Sequence, residues 1–482
     1  MATGRWQQYL SSAGAQSISR ALSVAANLLS LVLVARVLGT NDFGNYTFVM
    51  ACVNIAATLA DLGTTSVLAH GLTTDSHAEP DLYFGNFLVI RAATTLAATL
   101  LALAAIPFAD RGLLGPLLVC AISIPFVASR FFDPVYQVFG RPRYSVYASL
   151  LYSVSLAAVS LVLLPWLHVP LLDYLWAWVG CNVLYTVLAF HLATRVVRPR
   201  FDIRWQALKS IAALAIPLGV GALFYIINTR ADVMMLSYMT TPRDTGLYGA
   251  AYKLLDFGGM LAVTALWPLI PILSREQRTG KEGALVAIRC VTEVAGVLSF
   301  PVAVVAQYLA LPIITLLYGA DYAEAASVVG ILAVIFVILI YCLIGVVANL
   351  STGTVQHSYW NTAVAAVINI ALNFVLIPRH GMVGAAWAAL VSHVWMLLVQ
   401  QRYVLVHAGN PFVLGFWLKL VGANAALLAA LQLSHADRNP LVVPFAVMAY
   451  AAFVHVFRLI PEEILAALGR SRAGRRAGVS AP

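Results

Sequence analysis

Long apolar runs, separated by charged or Gly/Pro-rich breaks, follow one another along almost the whole chain. Fourteen can be drawn: 13–38, 44–69, 82–107, 113–139, 144–167, 171–194, 209–238, 246–273, 284–309, 323–350, 359–378, 383–406, 412–433 and 440–459. An apolar run of about 18 residues or more crosses the roughly 30 Å of bilayer hydrocarbon as a helix. Within the first run the polar residues Gln16, Arg20, Ser23, Asn27 and Ser30 recur at steps of 4, 3, 4 and 3, which gathers them on one helical face. Thr47, Asn54, Thr58, Asp61 and Thr65 make a similar stripe in the second run. The pattern predicts an all-α polytopic membrane protein with about fourteen transmembrane helices. No connection is long enough for a separate soluble domain.

Composition fits that reading. Of 482 residues, 61% are hydrophobic and 10% charged, against roughly 25% charged in soluble domains. The net charge of +9 comes mainly from Arg. These charges sit in short connections rather than in a basic patch, so they speak for orientation in a membrane and against nucleic acid as a partner. Arg141, Arg143, Arg195, Arg198, Arg200, Arg204, Lys209, Arg275, Arg278, Lys281 and the tail arginines from Arg470 fall on one side. By the positive-inside rule that side is cytoplasmic, and an even number of spans puts both termini there. The expected location is the cytoplasmic (inner) membrane of a bacterium, with the basic tail beside anionic headgroups. The first run is long, flanked by Arg20 and Arg36, and lacks a cleavage site, so it reads as a span and not a signal peptide. The five cysteines show no CxxC or ligand spacing. Neither a phosphate-binding GxxxxGK[ST] loop nor an HExxH pair occurs, so no ATP site, metal or other cofactor is expected.

The chain repeats itself. Asp42-x-Gly44-x-Tyr46 opens the second run, and Asp244-x-Gly246-x-Tyr248 opens the eighth. Gly140 leads into a run ending at Pro165, and Gly353 leads, over the same interval, into one ending at Pro378. Trp178 and Trp387 then fall at corresponding places. Six spans occurring twice in the same orientation is the parallel-repeat plan of several transporters. The expected division is an N-terminal lobe at 1–200, a C-terminal lobe at 201–408, two further helices at 409–468 and a basic tail at 469–482.

Ionisable groups inside lipid-spanning helices cost roughly 2.5–3.5 kcal/mol each on insertion scales, so they should face a hydrated passage or a partner. The candidates are Arg20, Asp61, Arg91, Arg130, Asp133, Arg230, Asp232, Lys253, Asp256 and Glu293. The polar stripes would line the same passage; interhelical hydrogen bonding is the competing use of such residues. Lys253 and Asp256 stand three apart on one helix, spacing that suits a static ion pair as well as a gate.

In several motifs the sequence resembles the MOP exporter superfamily, which includes the MATE transporters. The resemblance is to its polysaccharide-transporter branch, the O-antigen and exopolysaccharide repeat-unit flippases. The motifs are Ala35 to Gly39 followed by Asp42-x-Gly44-x-Tyr46, Asp61-Leu62-Gly63 closing the second span, and Gly246 to Lys253 opening the eighth. Tyr318 to Tyr322, Ile377-Pro378, Gly381 and Gly384 to Trp387 add to them. His70 stands where such relatives often carry an arginine. The resemblance implies two six-helix lobes around a central cavity, alternating access, and a non-enzymatic flippase. The implied substrate is an undecaprenyl-diphosphate-linked oligosaccharide moved from the cytoplasmic to the outer leaflet, with a polysaccharide polymerase and chain-length machinery as partners.

On that footing Arg20, Asn27, Arg91 and Arg130 are the candidates for the substrate cavity and its pyrophosphate, since a guanidinium fork donates two hydrogen bonds to phosphate. Snorkelling toward headgroups is the alternative for Arg20 and Arg130. Asp61, Asp133, Arg230, Asp232, Lys253, Asp256 and Glu293 are the candidates for a gate or for coupling to protons or sodium ions. A multidrug or cation antiporter of the same superfamily is a rival that three arginines in one third of the lobe disfavour. A membrane glycan polymerase or glycosyltransferase is another, and it would need a sizeable external loop that this chain lacks.

Overall fold

The computed structural model describes residues 2–73, 80–108, 111–266, 281–351, 356–434, 436, 442–457 and 459, with the side chains of 2–21, 73, 108, 111, 265, 281, 350–351 and 356–358 outside that description. Among the described residues the elements are α-helices and short 3-10 turns, and no strand occurs. In chain order the helices are α1 (Ala2–Asp61), α2 (Thr64–Thr73), α3 (Pro80–Ala105), α4 (Leu114–Val127) and α5 (Phe132–Val138). Next come α6 (Arg143–Leu163), α7 (Leu171–Thr194), α8 (Trp205–Met239), α9 (Pro242–Leu266) and α10 (Lys281–Tyr308). The last are α11 (Ala310–Tyr318), α12 (Ala326–Ser351), α13 (Gln356–His407), α14 (Leu414–Leu433) and α15 (Val443–Val456).

Among the described residues, ten helical stretches are long and apolar enough to cross a membrane. Two of these, of 40 and 49 residues, each supply two of the predicted spans because a glycine bends them: Gly39 at φ 75° in α1 and Gly381 at φ 53° in α13. Positive φ is open to glycine at little steric cost. With α9 and α15, a helix lies in the described part of every one of the fourteen predicted spans. Gly353, part of the repeat, and the tail from Arg470 lie outside the described residues.

The chain forms two compact units, Met1–Gly246 and Leu247–Pro482. In the first, Phe84, Phe87, Phe132, Val135, Tyr136 and Tyr185 build one core among α3, α5 and α7, and Phe48, Leu175 and Trp178 build another where α1 meets α7. In the second, Ile288, Tyr341, Ile344 and Val404 pack α10, α12 and α13 together. The last two helices dock on α10 through Leu420, Leu427 and Tyr450, whose hydroxyl donates to Val297 O at 2.9 Å. Asn349 Nδ2 on α12 donates to Gln400 Oε1 on α13 at 2.6 Å, and Asn361 Nδ2 ties the two arms of the bent α13 by donating to Met396 O at 3.1 Å. Such bonds satisfy polar groups that lipid cannot. The five cysteines are buried or half-buried.

The repeated motif has a local physical reason at its second copy. Thr241 Oγ1 accepts from Asp244 N at 3.2 Å and donates to Asp244 Oδ2 at 2.9 Å, with Pro242 between them at the first helical position. This is a capping box that starts α9. Tyr248 is fully buried, and Gly246 sits where its neighbours leave no room for a side chain.

Candidate functional site

The Asp61-Leu62-Gly63 motif ends α1 in a bend with Leu62 at φ 40° and Gly63 at φ 76°. A left-handed leucine costs roughly 1–2 kcal/mol, so something must hold it. Two contacts do. A Cβ on Gly63 would fall 2.5 Å from Ala215 O of α8, and one on Gly219 would fall 2.4 Å from Leu62 C, so bend and helix meet backbone to backbone. On the other side stands Arg91 of α3, 5% exposed.

Arg91 Nη1 donates to Ala60 O at 3.1 Å, to Thr64 Oγ1 at 2.9 Å and to Asp61 Oδ1 at 2.5 Å, and Nη2 donates to Ala128 O at 2.5 Å. Its guanidinium also lies 5.1 Å from the Phe131 ring centroid. Both carbonyls belong to helix breaks, Ala60 at the end of α1 and Ala128 in the 3-10 turn Ala128–Phe131. Carbonyls at such ends lack the amide four residues on and carry the negative end of the helix dipole. Asp61 also takes bonds from the Thr65 amide and hydroxyl. Arg91 is thus a clamp that ties three elements together, with its Nη donors committed to the protein.

The same 3-10 turn carries Arg130. Pro125 and Pro134 flank it and remove two amides from the α-helical ladder, which is why the span breaks there. The turn is fixed from α7: Ser129 Oγ lies 2.8 Å from Thr186 Oγ1, and Tyr136 OH donates to Ala189 O at 2.5 Å. Arg130 is exposed, and its Cζ lies 4.6 Å from the ring centroids of both Tyr152 on α6 and Tyr185 on α7. Those rings meet edge to face at 80° and cradle the guanidinium in their corner. Among the described residues no hydrogen-bond acceptor claims its N–H groups. Three residues on, Asp133 accepts from Ser145 Oγ at 2.6 Å. Asn27 of α1 reaches α6 beside Tyr152, its Nδ2 3.5 Å from Ser153 Oγ.

The structure therefore brings Asp61, Arg91, Arg130, Asp133 and Asn27 into one region of the first unit. Arg20 lies on α1, but its side chain is outside the described residues. The stripe on the second span is partly spent on its own helix, since Thr47 and Thr58 donate to Phe43 O and Asn54 O. The remaining candidates are on α8, α9 and α10. Arg230 and the fully buried Asp232 are on α8, where Asp232 Oδ1 accepts from the Val233 amide at 2.8 Å. In the second unit Lys253 Nζ meets Asp256 Oδ2 at 3.2 Å, and Glu293 Oε1 takes Arg289 Nε at 2.9 Å.

Sequence reasoning missed Tyr152, Tyr185, Thr64 and Arg289. Arg289 was legible as the residue four before Glu293 on one helix face. The tyrosines were not, because aromatic residues abound in these spans.

The sequence profile of the polysaccharide biosynthesis protein family matches residues 9–277, more than half of the chain. The chain belongs to that family. It is similar to the succinoglycan biosynthesis transport protein ExoT of Rhizobium meliloti (strain 1021), at 23% identity over 86% of this chain and 83% of that protein. Among solved structures it resembles the lipid II flippase MurJ in its inward closed conformation, with a TM-score of 0.76 and 14% identity over 92% of this chain and 98% of that one. It also resembles an inward-facing MATE multidrug transporter of the MOP superfamily, with a TM-score of 0.65 and 13% identity over 80% and 95%. These two likenesses speak to the fold. The resemblance drawn from the motifs holds: this is a multi-pass membrane protein of the polysaccharide biosynthesis protein family with a MOP-type fold.

Proposed function

We propose that this transporter flips an undecaprenyl-diphosphate-linked oligosaccharide from the cytoplasmic to the outer leaflet of a bacterial inner membrane, by alternating access. The observation that carries the reading is Arg130. It is a guanidinium in the cytoplasmic third of the fourth span, under the orientation the basic connections imply, set between two tyrosines with its donors unclaimed among the described residues. Placing a cation there costs free energy that a diphosphate would recover by accepting paired hydrogen bonds. A site built for cationic drugs would repel its cargo at the same spot. Arg91, spent on its own fold, supports the geometry rather than gripping the lipid.

The test is export in a host lacking the gene. Arg130→Gln, inserted at the level of the unchanged chain, should leave lipid-linked precursor on the cytoplasmic face and reduce surface polysaccharide by tenfold or more, about 1.4 kcal/mol of binding or transition-state free energy. Normal export by that variant would overturn the reading.

A further inference from the structure

Residues 197–204 join α7 to α8 without helical structure, yet their backbone is tied down. Arg198 N donates to Asp81 Oδ1 at 3.0 Å and Arg200 N to Asp81 O at 3.0 Å. Arg204 N donates to Asn86 Oδ1 at 3.0 Å, and Asp202 O accepts Asn86 Nδ2 at 3.0 Å. Every group that the strap contributes to these bonds belongs to an even-numbered residue, the mark of an extended chain laid along the first turns of α3. Gly85 makes the fit possible, since a Cβ there would stand 2.1 Å from Arg200 O.

In an extended chain, alternate side chains leave on opposite sides. One side therefore carries Arg198, Arg200, Asp202 and Arg204, and the other carries Phe201 and Ile203. Trp205 follows at the start of α8 with Lys209 Nζ 5.5 Å from its ring. Phe201, Ile203 and Trp205 are 65%, 61% and 69% exposed although the strap lies between spans. In water such exposure would be unfavourable by about 25 cal/mol per Å². An apolar edge and a basic edge on one fixed strip match the boundary between acyl chains and headgroups.

We infer that this strap is a docking surface for anionic phospholipid in the leaflet it faces. Its apolar side chains lie among the acyl chains, and its arginines hold headgroup phosphates. The one acid in the strap, Asp202, takes Arg204 Nη2 at 3.3 Å and leaves the strip basic overall. The leaflet is the inner one under the orientation proposed above, while the binding itself does not depend on transport, so either idea can fail alone.

The experiment is native mass spectrometry of the purified full chain titrated with phosphatidylglycerol and, separately, phosphatidylcholine. Each basic residue near an anionic surface shifts lipid affinity roughly fivefold. Replacing Arg198, Arg200 and Arg204 together by Gln should weaken phosphatidylglycerol on the order of a hundredfold and leave phosphatidylcholine unchanged. The single variant Arg198→Gln reads the same effect at smaller size should the triple variant fold poorly. Phe201→Ser with Trp205→Ser should weaken both lipids alike. Unchanged phosphatidylglycerol binding in the arginine variants would overturn the inference. So would equal loss on replacing Arg141 and Arg143, or displacement of the lipid by inorganic phosphate.

Discussion

Gly44 and Gly246 fill each other's missing side chains. A Cβ on Gly44 would stand 1.8 Å from Pro242 O and 3.0 Å from Gly246 N, and a Cβ on Gly246 would stand 2.1 Å from Thr40 O and 3.0 Å from Gly44 N. The two glycines hold the same place in the two copies of the D-x-G-x-Y motif, so the repeated sequence meets itself at this crossing. Backbone against backbone leaves nothing flexible to give way. Gly44→Ala and Gly246→Ala should each destabilise the protein by about 1–3 kcal/mol through overpacking. Gly180, inside α7 with open space around its Cα, is the control, and its alanine variant should gain roughly 0.5–1 kcal/mol of helix propensity. Thermal melting of the purified chain in detergent checks this. A Gly44→Ala protein that melts with the unchanged one would refute the crossing.

Arg91 and Asp61 should respond unequally to removal. Arg91→Ala strips donors from two helix-end carbonyls, the Thr64 hydroxyl and a carboxylate at once, each bond worth about 0.5–1.5 kcal/mol and the one to the carboxylate more. Asp61→Asn leaves Arg91 its bonds to Ala60, Thr64 and Ala128, and an asparagine carbonyl can still accept from it, so the loss should be smaller. Membrane yield and melting temperature should therefore fall further for Arg91→Ala than for Asp61→Asn. Full stability with lost export in Arg91→Ala would instead assign Arg91 to the substrate.

Much of this arrangement was legible beforehand. Apolar run length found each span because lipid imposes that length, and the cost of charge in lipid marked Asp61, Arg91, Arg130 and Asp133 as groups that need a partner or a hydrated passage. What the spacing could not give was the use of each charge. Arg91 is committed to main-chain carbonyls of Ala60 and Ala128, and those oxygens become acceptors only because two helices break there. Every residue carries a carbonyl, so no side-chain pattern announces it. Arg130 differs from Arg91 through Tyr152 and Tyr185, which come from two other helices and need the tertiary fold to be seen. The strap at 197–204 read as positive-inside charge, while its alternation with Phe201 and Ile203 gains meaning from its bonds to α3.

Glu293 separates a structural role from a coupling role. Its side chain is 9% exposed and its partner Arg289 is 46% exposed. Removing the arginine strands a buried carboxylate, whereas removing the acid leaves a cation that water can reach. Arg289→Gln should thus destabilise by about 1.5–3 kcal/mol, the usual worth of a hydrogen bond to a charged group, and Glu293→Gln by less. Equal melting temperatures for the two variants would remove this asymmetry. If Glu293 carries a coupling ion, Glu293→Gln should also abolish gradient-dependent export at unchanged stability, which a merely structural pair would not do.

The tyrosines around Arg130 make a sharper prediction than the arginine itself. A ring face attracts a guanidinium by about 0.5–1 kcal/mol when exposed and about 2 kcal/mol when dry, and phenylalanine supplies that face as tyrosine does. Tyr152→Phe and Tyr185→Phe should consequently keep export near its normal level. Tyr152→Leu and Tyr185→Leu remove the face and let the guanidinium swing away, so each should lower export roughly three- to tenfold at equal membrane yield. Arg130→Lys keeps the charge but loses the planar fork, and should fall between Arg130→Gln and the unchanged chain. A snorkelling arginine needs no particular rings, so it would leave the leucine variants fully active. Measuring lipid-linked precursor retained on the cytoplasmic face across these variants decides between a poised anion site and an arginine that only reaches for the headgroups.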